Sequence, residues 1–148
     1  MGDVIATAER TVPAPPEAVF AFLCDYGRRP EILPDQFTEY RVLEGGGGAG
    51  TLITYRFQAG RANRVYRLRA EQPDGETRLL ERDLDSSFRT EWSVAPAAGG
   101  SASVVSVTSR WTRAGGIAGV FEGLFAPAGL RAIYARLLAG MDAAVTAP

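Results

Sequence analysis

The chain has 148 residues, 46% hydrophobic and 22% charged, with a formal net charge of -1. That length fits one domain spanning residues 1–148 around one core, and the composition excludes a disordered chain. The near-neutral balance argues against a general nucleic-acid or anionic-membrane surface. All 16 basic residues are Arg, with no Lys and no His, so a Ser-His-Asp triad, a His base or metal ligand, and a Lys Schiff base are excluded. No cofactor and no metal site is expected.

In chain order, residues 3–12 read as a strand that ends at Pro13. Pro15 and Pro16 then introduce a short helix, with Glu17 in a first turn whose dipole favours an acid, and Asp25-Tyr26-Gly27 ends it. A second short helical turn is expected around Arg29 to Leu33, stopped by Pro34. From Phe37 the apolar period becomes two, predicting strands at about 37–44, 50–58, 62–72, 76–84, 87–95 and 102–112. Gly45 to Gly48, Ala59-Gly60, Pro73-Asp74-Gly75, Asp85-Ser86 and Pro96 to Gly100 supply the turns, all short, so an antiparallel meander follows. Leu130, Ile133, Tyr134, Leu137, Leu138, Met141 and Val145 then form a helical stripe, with Pro127 starting this helix or kinking it away from a turn at 117–126.

The lone Cys24 cannot form an internal disulfide, which fits a reducing compartment. The opening Met1-Gly2-Asp3-Val4 lacks the basic-then-apolar order of a signal peptide. The most apolar stretch, 117–130, is broken by Glu122 and Pro127 and is too short to span a bilayer. A cytoplasmic protein without an integral membrane segment is expected, as a monomer or homodimer.

Pairing the strands about their turns sets Tyr55 opposite Tyr66, Ile53 opposite Leu68, Leu68 opposite Leu80, Leu80 opposite Trp92 and Arg82 opposite Thr90. One face then collects Tyr40, Val42, Tyr55, Tyr66, Leu80, Phe88, Trp92 and Trp111, with Arg82, Thr90 and Ser109 among them. The other collects alternating charges that include Arg67, Glu81, Asp83 and Glu91. Such an aromatic face can be plain core, but its buried hydroxyls and one Arg require partners and suit a ligand pocket. The candidate ligand-binding residues are Tyr55, Tyr66, Arg82, Thr90 and Trp92 from the sheet, with Phe121, Phe125 and Tyr134 from the C-terminal segment. Arg82 either anchors an anionic group of the ligand, or is placed inward only by an error of register, or reaches solvent from a strand end. Glu17, Asp25 and Asp35 are its alternative partners.

Three other motifs carry less. Gly45, Gly47 and Gly50 match G-x-G-x-x-G but lie between strands rather than opening a helix, so a flexible hairpin is expected. Asp83-Leu84-Asp85 with Glu81 reads as salt-bridging, and Cys24 as core.

The run Val12-Pro13-Ala14-Pro15-Pro16-Glu17-Ala18-Val19-Phe20, then Leu23-Cys24-Asp25-Tyr26 and Pro30-Glu31-Ile32-Leu33-Pro34, resembles the opening of the START-like (SRPBCC) superfamily of lipid-transfer proteins and polyketide cyclases. Gly50-Thr51, Trp92 and the long terminal helix agree, and the resemblance covers essentially the whole chain. It implies the α+β helix-grip fold: a seven-stranded curved antiparallel sheet around a long C-terminal helix, with two short helices after the first strand. These cues concern capping, turning and packing rather than chemistry, and no catalytic residue carries over.

The leading functional expectation is a binder of a hydrophobic small molecule, such as a lipid, a quinone or a polyketide-like aromatic, in a cavity of a few hundred cubic ångströms between sheet and helix. One alternative is a polyketide aromatase/cyclase or dehydratase working without His or metal, with Arg82 holding an enolate and Tyr55 or Tyr66 donating protons. The other is a protein-interaction module with an exposed apolar patch.

Overall fold

The computed structural model describes residues 3–60, 62–112 and 127–146. Strand β1 (Asp3–Val12) leads into helix α1 (Pro16–Cys24) and a 3-10 turn at Arg29–Glu31. Six strands follow: β2 (Phe37–Glu44), β3 (Leu52–Ala59), β4 (Ala62–Glu71), β5 (Arg78–Asp83), β6 (Arg89–Ala97) and β7 (Ala102–Thr112), and then helix α2 (Pro127–Thr146). The seven strands form one antiparallel sheet in the order β1-β7-β6-β5-β4-β3-β2. This is the helix-grip arrangement, with the short helices after the first strand.

Each helix follows from its sequence. Pro16 opens α1 where a missing N–H costs nothing, and Val19, Phe20, Phe22 and Leu23 bury one side of it. Pro127 opens α2, which buries Leu130, Ile133, Tyr134, Leu137, Leu138 and Met141, while Val145 packs at the margin. The expected turn at 117–126, and Phe121 and Phe125 with it, lie outside the described residues.

The loop at 45–50 is held rather than loose. Tyr26 N–H donates to Gly46 O at 3.0 Å and Gly48 N–H to Cys24 O at 2.9 Å, tying the loop to the end of α1. Gly48 has φ +67°, and a Cβ there would collide with the Gln72 side-chain oxygen. The positive φ is what favours glycine here; the Gln72 side chain, a flexible end, would have to move aside for any larger residue.

The register of β3 on β4 is as expected, with Tyr55 opposite Tyr66 and Ile53 opposite Leu68. The register of β5 is not. Leu68 lies opposite Asp83 instead of Leu80, and Trp92 opposite Leu79 instead of Leu80. Both slips are odd-numbered, so every β5 side chain changes face. Leu79, Glu81 and Asp83 point inward, and Arg82 points outward, where it donates to Glu71 at 3.0 Å with its side chain 53% exposed. The cause is the turn: β4–β5 pairing stops at Glu71 and resumes opposite it at Leu80, a wider connection than Pro73-Asp74-Gly75 alone. Adjacent Leu79 and Leu80 let the apolar alternation fit either register.

Strand β2 departs from simple pairing as well. Between the pairs Thr38–Arg56 and Arg41–Thr54, two residues, Glu39 and Tyr40, face Tyr55 alone. This bulge, with Glu39 at φ 55°, resets the alternation so that Phe37, Tyr40 and Val42 all pack against the core.

These placements predict a contrast in urea denaturation. Leu138→Ala, at a side chain 1% exposed, is expected to cost about 3 kcal/mol. Arg82→Ala is expected to change stability by less than about 0.5 kcal/mol. A large loss at Arg82 would return it to the interior and overturn the register.

Candidate functional site

The inward turn of β5 puts two carboxylates beneath the helices, and each is met by an Arg. Glu81, 2% exposed, accepts from Arg29 Nη2 at 3.0 Å, Tyr26 Oη at 2.6 Å and Trp92 Nε1 at 3.0 Å. Arg29 is itself 3% exposed. Its guanidinium also donates to Leu23 O at 3.1 Å and lies over the rings of Tyr26 and Trp92, at 4.7 and 5.0 Å. Tyr40 Oη donates to Tyr26 O at 2.7 Å, so β2 joins the same cluster. Asp83 accepts from Arg64 Nη2 at 2.7 Å, from the Arg67 N–H at 3.1 Å and from Ser86 Oγ at 2.7 Å.

A buried charge pair is held only when its remaining donors and acceptors are also satisfied. Glu81 meets that requirement. Arg29 does not fully: its Nε is buried and has no hydrogen-bond partner among the described residues.

Beside this cluster runs a chain of hydroxyls. Thr90 Oγ1 lies 2.7 Å from Ser109 Oγ, which lies 2.5 Å from Tyr134 Oη on α2. Thr90 is also the cross-strand neighbour of Glu81. The wall opposite is aromatic: Phe37 meets Tyr55 edge-on at 5.2 Å, Tyr55 lies 5.6 Å from Tyr66, and Tyr66 lies 4.8 Å from Phe88. Between sheet and α2 is a void of about 20 Å³, bordered by Arg29, Tyr55, Glu81, Thr90, Trp92 and Tyr134. That is room for about one water, far below the few hundred cubic ångströms expected.

Four of the candidates read from sequence, Tyr55, Thr90, Trp92 and Tyr134, therefore converge on one void. Tyr66 stands behind them in the aromatic wall, Arg82 is outside, and Phe121 and Phe125 are not among the described residues. Sequence reasoning missed Arg29, Tyr26 and Glu81. The pattern Leu79-x-Glu81-x-Asp83 held the signal for one face of β5, masked by Leu80. Among the described residues no cluster of His, Cys, Asp or Glu could hold a metal ion, and no helix is long and apolar enough to cross a membrane.

The family described as polyketide cyclase / dehydrase and lipid transport matches residues 3–146, and the chain belongs to it, within the START-like superfamily. The solved structure of KanY protein is 39% identical with a TM-score of 0.85, covering 98% of this chain and 99% of that one. A protein from Thermus thermophilus, TTHA0849, is 21% identical with a TM-score of 0.77, covering 97% and 98%. Zhui aromatase/cyclase from Streptomyces sp. R1128 is 18% identical with a TM-score of 0.70, covering 99% and 98%. The latter two likenesses are of fold. No match was found among curated proteins.

Burial makes these tyrosines hard to ionise. It pushes Tyr134 up to about 12, against the opposing hydrogen bonds of Ser109 and Thr90. Burial, and then the neighbouring Glu81 carboxylate, also push Tyr26 up, and burial raises Tyr55 well above the ordinary tyrosine value. An unfolded tyrosine titrates near about 10, so the unfolded chain loses these protons first. Their contribution to stability is complete below about pH 10 and falls as pH rises toward the folded values. Urea midpoints are expected to drop from about pH 10 upward, with buried tyrosines absorbing as tyrosinate only as the fold is lost. All tyrosines ionising near pH 10 in a folded protein would contradict this interior.

Proposed function

We propose that the chain binds a hydrophobic small molecule carrying at least one polar group, such as a lipid, a quinone or a polyketide-like aromatic, between the sheet and α2. The observation that carries this reading is the polar equipment of an otherwise aromatic interior. A core built only for stability gains nothing from an Arg–Glu pair that apolar residues of similar volume would replace at no cost. Here the pair borders a void, beside a hydroxyl chain, and among the described residues leaves Arg29 Nε with a donor to spare. A ligand oxygen accepting from that Nε, with its apolar body against Tyr55, Trp92 and Tyr134, would satisfy the remaining donor and add apolar burial. The void is water-sized, so admitting such a ligand requires neighbouring side chains to move.

A second reading, an aromatase/cyclase or dehydratase, draws support from the family and from the Thr90–Ser109–Tyr134 hydroxyls. With Arg82 on the outer face, the cation that borders the void among the described residues is Arg29, and Glu81 already neutralises it. That pairing weakens the charge such a role requires, and the binding reading is preferred.

Extraction of gently purified protein followed by mass spectrometry tests the choice. A stoichiometric lipid, quinone or aromatic is expected, and Tyr134→Phe or Trp92→Phe is expected to lower its occupancy more than stability. An empty extract, with no uptake of aromatic or acyl probes, would contradict binding and favour a protein-interaction role.

A further inference from the structure

Two spaces in the structure meet at one point of the sheet. The interior void shares Tyr40 and Tyr55 with an open groove of about 440 Å³ that is also lined by Glu39, Arg41, Thr54 and Arg56. Their meeting point is the β2 bulge, where Glu39 and Tyr40 face Tyr55 alone and the β2–β3 ladder is interrupted. Through a regular stretch of the sheet a crossing molecule would have to break ladder hydrogen bonds; at a bulge the extra residue is already unpaired. Tyr40 is half-buried and held inward by one hydrogen bond, from its Oη to Tyr26 O at 2.7 Å. Across the mouth, Arg56 Nε donates to Glu39 at 2.5 Å and its Nη1 to Asn63 at 2.9 Å. Arg56 and Glu39 are both substantially exposed, so this rim pair is weakly held.

We propose that the β2 bulge is a passage through the sheet into the interior, with the Tyr40 ring as its movable plug and the Glu39–Arg56 pair across its outer mouth. Swinging Tyr40 outward breaks one hydrogen bond and no ladder bond, and joins the outer groove to the space beside Trp92. The inference deepens the binding reading by giving the ligand a way in through the sheet, but the geometry stands without any ligand.

The chain has two Trp residues, so Trp111→Phe leaves Trp92 as the sole indole; the Trp111 Nε1 it removes is buried without a partner among the described residues. In that background, acrylamide quenching of Trp92 reports access to the interior. Tyr40→Ala is expected to raise the quenching constant at least about threefold, and Arg56→Ala, at the exposed rim, about one and a half-fold. Tyr40→Phe keeps the ring and is expected to give a smaller rise than Tyr40→Ala. Leu33 borders the same void but not the groove, so Leu33→Ala is expected to change little. The passage is overturned if Leu33→Ala matches Tyr40→Ala, or if the Tyr40 and Arg56 variants leave Trp92 as protected as the parent. Should Tyr40→Ala fail to fold, Arg56→Ala against Leu33→Ala decides the matter. No ligand enters this measurement, so failure of the passage leaves the binding reading standing, and an empty extract leaves the passage standing.

Discussion

The carboxylate of Glu81 is the constraint on which the interior depends. A charge placed between a sheet and a helix is tolerated only if its lone pairs are filled and a counter-charge is near. Arg29 from the turn after α1, Tyr26 from the end of α1 and Trp92 from β6 together meet that condition. Satisfying one group thereby fixes two separate stretches of chain, the turn after α1 and β6, relative to β5. Tyr40 then pins β2 to Tyr26, and the loop at 45–50 clasps the end of α1, so the near edge of the sheet is tied to the same point.

Around this charged centre the rest of the interior sorts by polarity. The aromatic wall from Phe37 through Tyr55 and Tyr66 to Phe88 takes one side, and the hydroxyls of Thr90, Ser109 and Tyr134 take another. Asp83 repeats the Glu81 solution one pleat along, with Arg64 as its cation. The outer face is conventional by comparison: pairs such as Arg67–Asp85, Arg69–Glu44 and Arg82–Glu71 are exposed and contribute little each. The unusual chemistry of this chain is therefore inside, where a largely satisfied network makes the interior specific and the Arg29 Nε donor, unpartnered among the described residues, leaves it receptive.

Much of the fold was legible because local signals set it. The Pro15-Pro16 pair marked where α1 begins and the single Pro127 stands at the first described residue of α2, period-two runs marked the strands, and the short turn at Ala59-Gly60 set Tyr55 against Tyr66. The inward hydroxyls of Thr90 and Ser109 followed from the same alternation. The β5 register was not legible, because the wide Glu71-to-Leu80 connection does not impose pairing and the Leu79-Leu80 doublet satisfies both faces. That one ambiguity exchanged Arg82 for Glu81 as the buried charge. Arg29 and Tyr26 were missed for another reason: their partner lies more than fifty residues away, and no local pattern announces such a pair. The β2 bulge, which needs a non-glycine residue at positive φ, leaves no mark that alternation can detect.

The most direct test is a double-mutant cycle on Arg29→Met and Glu81→Gln, read by urea denaturation. Each single change leaves a buried polar group uncompensated and is expected to cost about 3–5 kcal/mol. The double variant is expected to cost less than the sum by at least about 1 kcal/mol, because the two residues answer each other. Additivity within about 0.5 kcal/mol would show that they do not interact, and the account of an interior organised around Glu81 would be wrong.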